Sequence, residues 1–138
     1  MFDKIFNSPT QTVLSYALDG TALRNQVIAN NIANVDTPEF KRSEVVFEEQ
    51  LRKILADENQ PTRLKTTHPR HIQVVKKKES VRPEIIQVND LSYRNDNNNV
   101  DIDVEIAKMS KNYLFYNALT SSMNQEIRLL RLAITGRS

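Results

Sequence analysis

His68 and His71 are the only two histidines in the chain. Three apart on a helix, they would present two imidazoles on one face, as a metal site requires. Pro69 lies between them and spoils that geometry, and no further ligands are set beside them, so they read as residues of a surface loop. Asp96, Asn98 and Asp101 have the alternating oxygen donors of a calcium loop. The glycine of that loop's sharp turn and the spacing to its closing glutamate are both missing. Turn and helix-cap chemistry accounts for these residues better. Lys76, Lys77 and Lys78 could touch phosphate, but read more simply as the solvated tip of a hairpin. The absence of cysteine removes thiolate nucleophiles, thiolate metal sites and disulfides. Gly20 and Gly136 are the only glycines, too few for a phosphate-cradling loop. No serine, histidine or carboxylate stands in a motif that aims several groups at one point. The expectation is a protein that is not an enzyme, with no cofactor, no metal and no small-molecule substrate.

What remains is the chemistry of assembly. Asn30, Asn31 and Asn34 close a long helical pattern, and asparagine is a poor helix former. They read either as helix termination or, preferably, as interface hydrogen bonding that fixes register. The elements around them are legible. Residues 1–9 form a leader ended by Ser8-Pro9. A helix runs from about Thr10 to Asn34, with a seam at 14, 18, 21, 25, 28, 32 and 35. Leu14, Leu18, Ile28, Ile32 and Val35 are its apolar members, and Thr21 and Asn25 its polar exceptions. Pro38 stops it. Gly20, mid-helix, costs about 1 kcal/mol against alanine, so it implies a close-packed backbone or a bend.

Ser43 to Asp57 reads as a short helix capped by Ser43, with Phe47, Leu51, Ile54 and Leu55 on one face. Prolines at 61, 69 and 83 then break any helix. His71–Val74 and Ile85–Val88 read as two strands of a hairpin. Asn95 to Asn99 read as a loop. The strongest signal runs from Asp101 to about Ile134. Its seam is Ile102, Ile106, Met109, Tyr113, Tyr116, Thr120, Met123, Ile127, Leu130 and Ile134, with only Thr120 polar. Asp101, Asp103 and Glu105 suit the start of that helix, and Gly136 stops it.

Such a helix is a rod of roughly 50 Å, longer than the roughly 37 Å partner at the N-terminal end. Leu114, Phe115, Leu119, Leu129 and Ala133 widen its stripe beyond one neighbour. The fold expected is mainly α. Long N- and C-terminal helices pair as an antiparallel coiled-coil-like hairpin, with a short helix and a small extended or β-hairpin insertion between them. The expected division is a leader at 1–9, a helical domain from 10–36 plus 100–135, and an insertion at 37–99. A net charge of +2, with its mild basic excess in the middle of the chain, is too even for a nucleic-acid surface. The N-terminus has no basic region followed by an apolar core, so no Sec-type signal is expected. No run of about 18 apolar residues is present to span a membrane.

The run Ile28-Ala29-Asn30-Asn31-Ile32-Ala33-Asn34-Val35-Asp36-Thr37-Pro38-Glu39-Phe40-Lys41 resembles the N-terminal signature of bacterial flagellar rod and hook proteins. Glu39 stands where glycine or asparagine is commoner. Leu64–Ile72 and Asn98–Glu105, followed by Asn112-Tyr113 and Tyr116–Leu119, resemble the proximal rod type of the basal body. The resemblance implies a structural subunit of the rod, the drive shaft for motility. It would polymerise through its terminal helices with copies of itself and other rod proteins, on ring and adaptor proteins at the rod base. It implies export without a Sec signal, through the flagellar type III apparatus, to a place outside the inner membrane. Phe2 and Phe6 resemble the short export-gate motif of such substrates. The interface residues implied are Leu14, Leu18, Asn25, Ile28, Asn30, Asn31, Ile32 and Asn34, with Ile106, Met109, Tyr113, Tyr116, Met123, Ile127 and Leu130. The other reading of the helical ends is a cytoplasmic coiled-coil adaptor or secretion chaperone, which would leave the asparagine block without a role.

Overall fold

A computed structural model describes residues 9–58, 82–90, 92 and 94–136. The chain is mainly helical. Helix α1 spans Pro9–Ala33, strand β1 Ser43–Val46, helix α2 Glu48–Glu58, strand β2 Glu84–Gln87 and helix α3 Ile102–Thr135. Proline opens α1, where its missing N–H costs nothing. Asp101 caps α3, its carboxylate accepting from the N–H groups of Asp103 and Val104. Gly136 ends α3 in the left-handed conformation, with its N–H on the Leu132 carbonyl.

The two long helices pack against each other. Asn31 near the end of α1 meets Glu105 near the start of α3, and mid-α1 Thr21 meets Asn112. Contacts therefore run in opposite directions along the two helices. Beside them lies a two-stranded antiparallel sheet, with Ser43 opposite Gln87 and Val46 opposite Glu84. Val27, Val45 and Phe47 form the core, with Tyr16, Leu23 and Leu51 packed on it. Tyr16, Gly20, Leu23 and Val27 share one stripe of α1 by their four-three spacing, and this stripe meets the sheet and α2.

One expectation needs correction. The helix expected from Ser43 starts only at Glu48. Val45 and Val46 are β-branched, and strand hydrogen bonds to Glu84–Gln87 outweigh a serine cap. β2, one strand of the expected hairpin, pairs with β1; the other expected strand, residues 71–74, lies outside the described residues, as do Phe2, Phe6, His68 and Lys76–Lys78. Glu105 stands in the first turn of the last helix as expected, and its side chain is buried against Asn31.

Gly20 has a simple reason. A Cβ there would lie 2.7 Å from Cγ of Phe47, so the ring sits directly on the helix backbone. Arg24, one turn on, lies over the same ring at 4.7 Å from its centroid and donates to the Val45 carbonyl. Among the described residues no helix is long and apolar enough to cross a membrane.

Candidate assembly interface

The asparagine block is the joint of the molecule. Asn31 is buried, and its carboxamide behaves like a short piece of strand. Its Oδ1 accepts from the Ser43 N–H at 3.0 Å, and its Nδ2 donates to the Ser43 carbonyl at 2.8 Å. The second Nδ2 proton reaches Glu105 at 3.0 Å. With Arg24 on the Val45 carbonyl, side chains of α1 cover the edge of β1 that faces away from β2. Asn34 donates to the Asn30 carbonyl at 2.8 Å and accepts from Thr37 Oγ1 at 3.2 Å, which closes the helix end.

The loop of asparagines before α3 holds that end from the other side. Asn98 is buried, and its Nδ2 lies 2.9 Å from each of the carbonyls of Asn34, Val35 and Thr37. Its Oδ1 accepts from the Val100 N–H at 2.8 Å. Asn99 bridges the Arg42 N–H and the Val88 carbonyl. Lys41 donates to the Asn97 carbonyl at 2.6 Å, and the Glu39 N–H to that of Asp96 at 2.8 Å. Sequence reasoning treated Asn95–Asn99 as a plain loop. Its composition was the signal, since runs of asparagine satisfy backbone groups that no regular element can reach.

Charges complete the joint. Lys108 donates to Glu44 at 2.6 Å and to Glu105 at 3.1 Å, and Glu44 also pairs with Arg42. Hydrogen bonding from Lys108 holds the Glu44 carboxyl below the ordinary carboxylate range, against the opposing effect of burial. Arg42 reaches Asp90 at 2.7 Å, and Arg24 reaches Glu48 at 2.5 Å.

The seam residues divide sharply. On α3, Met109, Tyr116, Met123 and Leu130 form a central column at seven-residue spacing. The column Glu105, Asn112, Leu119 and Glu126, polar at all but Leu119, lies on one side of it. The column Ile106, Tyr113, Thr120 and Ile127 lies on the other. The chain turns the polar side inward: Glu105 is 1% and Asn112 5% exposed. Asn112 donates to the Thr21 carbonyl at 2.9 Å, while its own Oδ1 is buried without a hydrogen-bond partner among the described residues. On the other side Ile106 is 50% and Tyr113 65% exposed, and Ile102, Ile127 and Ile134 are exposed as well. Leu114 lies beside Tyr113 on this side, Leu129 and Leu132 are exposed too, and Phe115 is exposed on the opposite flank, beside Lys108 and Asn112.

On α1, Ile28 is buried, Leu14, Leu18, Ile32 and Asn34 are half-buried, and Asn25 and Asn30 are exposed. Asn25 and Ala29 line a shallow groove with Met109, Tyr113 and Leu114 of α3. The structure thus brings an exposed apolar helix face beside the bare flank of α1, while a polar joint holds the two together. Among the described residues no group of His, Cys, Asp and Glu could hold a metal ion.

A family model described as "Flagella basal body rod protein" matches residues 13–41, the stretch that includes the asparagine block. The flagellar basal body rod protein FlgB of Bacillus subtilis is 32% identical over 123 residues, covering 89% of this chain and 91% of that protein. The FlgB of Borreliella burgdorferi is 36% identical over 107 residues, 75% and 79% of the two chains. That of Aeromonas hydrophila is 32% identical over 142 residues, 98% and 96%.

Proposed function

Because this chain belongs to the flagellar basal body rod protein family, we propose that it is a structural subunit of the bacterial flagellar rod, built into the basal body to form part of the drive shaft. The observation that carries the mechanism is the apolar face of α3 that the chain leaves uncovered. A helix of 34 residues is about 50 Å long, and α1 has 25 residues to lay against it. Ile106, Tyr113, Leu114 and Ile127 keep their apolar surface for other chains. Burying each such side chain is worth about 1.5–3 kcal/mol, which is enough to drive polymerisation when many are buried together.

The partners are copies of this chain and other rod components, joined helix to helix. The subunit has no catalytic step. Its work is mechanical, since many small close-packed contacts resist shear under torque. Placement at the proximal end, contact with ring or adaptor proteins at the rod base, and type III export with Phe2 and Phe6 as its signal belong to the same reading. Support for these comes from the family resemblance of the sequence.

Electron microscopy of basal bodies from a strain lacking this gene, with a swimming assay beside it, tests the proposal. Rings without a rod, and no swimming, are expected. Normal rods and normal swimming would overturn it.

A further inference from the structure

We propose that Glu105 and Asn112 form a polar lock that holds the rotational setting of α3, so that Ile106 and Tyr113 stay largely exposed for a neighbouring chain and do not pack into α1. The proposal rests on the interface reading above, which supplies the neighbour.

The two candidate faces of α3 share the column Met109, Tyr116, Met123 and Leu130, and differ by one residue in the other column. One residue is about 100° of helix rotation. Because the central column is shared, rolling α3 by about half that amount would carry Ile106 and Tyr113 onto α1 and take Glu105 and Asn112 toward solvent. Apolar burial favours the roll. The structure nevertheless buries Glu105 and Asn112, so directed bonds oppose it.

Those bonds are specific in place. Asn112 reaches the Thr21 carbonyl in the middle of α1. Glu105, one heptad earlier, receives Asn31 and Lys108. Asn31 is itself fixed to both backbone groups of Ser43, so the lock is anchored on the sheet as well as on the helix. The buried Oδ1 of Asn112 has no hydrogen-bond partner among the described residues, a cost that a hydrocarbon side chain of similar size would avoid. Asparagine at this point is thus a poor choice for stability and a good one for specificity. Polar residues in helix seams fix register at a cost in stability in the same way.

The test uses the whole chain, which has no native cysteine. Nitroxides are placed on Gln26→Cys of α1 and Ser121→Cys of α3, both exposed. Electron–electron distances are measured with and without Asn112→Leu, and melting is followed on each protein. The parent is expected to give one narrow distance. Asn112→Leu should give a broadened or split distribution at an unchanged or higher melting temperature, a combination that a merely structural role for Asn112 does not produce. Asn112→Ala, which adds no bulk, should broaden it too and decides the matter if the leucine variant does not fold. A single unchanged distance in the folded variants overturns the lock. Failure of the interface reading is separately visible: normal rods in Ile106→Asp and Tyr113→Asp would sink that reading, whereas the distance measurement needs no rod.

Discussion

At Gly20 two effects of similar size oppose each other. Alanine would gain about 1 kcal/mol of helix propensity. Against it stands a Cβ at 2.7 Å from the Phe47 ring, and that ring is fully buried, with no open space to move into. Overpacking of this kind costs about 1–3 kcal/mol. Gly20→Ala should therefore lower the melting temperature despite its better propensity, and Gly20→Ala with Phe47→Leu should recover part of the loss. Glu39 presents the opposite case. Its φ of 63° is left-handed, a conformation that costs most L-residues about 1–2 kcal/mol and that asparagine tolerates. Its backbone N–H is held on Asp96 whatever the side chain. Glu39→Asn should raise stability by up to about 1 kcal/mol in chemical denaturation. This is the position at which the chain departs from the usual flagellar signature, and its left-handed φ gives the departure a conformational cost.

At the scale of the element, α3 has two functions on two faces. Met123 is half-buried and Ile127 more exposed, both on the groove that α3 forms with Gln11, Thr12 and Ser15 of α1. An aspartate at Ile106, Tyr113 or Ile127 should leave the purified chain folded, with its circular dichroism and melting little changed, and should abolish rod assembly and swimming. Met123→Asp should instead lower the melting temperature of the chain itself, by the cost of placing a charge against α1. Equal melting of Ile127→Asp and Met123→Asp would refute this division of faces. Strand β1 is equally dependent on its context. Its outer edge is satisfied by Asn31 and Arg24, residues of a helix, so its existence depends on α1 being in place.

For the whole molecule, the joint between α1, β1 and α3 contains a titrating link. The folded carboxyl of Glu44 has a depressed pKa, chiefly through Lys108. A depressed carboxyl contributes stability above its unfolded pKa, and loses it as pH falls through the folded value. Melting temperature should therefore fall as pH is lowered from about 5 toward 3. Glu44→Gln should flatten that acid limb and leave the neutral-pH melting temperature only slightly lower. The effect should be modest because the side chain is partly exposed and solvent screens it. An acid limb of unchanged steepness in Glu44→Gln would place the titration elsewhere.

The sequence by itself determined the long helices, their ends and the family. Local rules are enough for these. A four-three apolar pattern, a proline at the start, Asp101 as cap and a glycine at the stop act within a few residues of one another. The asparagine block was legible as important, but its role was not. Whether Asn31 met another chain or its own strand depended on where Ser43 came to rest, 12 residues away. The tertiary structure also decided which column of α3 faced inward. Apolar periodicity chose Ile106 and Tyr113, because hydrophobicity is the only seam signal a linear pattern carries. The folded chain chose Glu105 and Asn112, since Asn31 and the Thr21 carbonyl offered partners that no spacing rule could reveal. The short helix expected at Ser43 failed for the same reason: a strand exists only when another strand, 40 residues on, comes to pair with it.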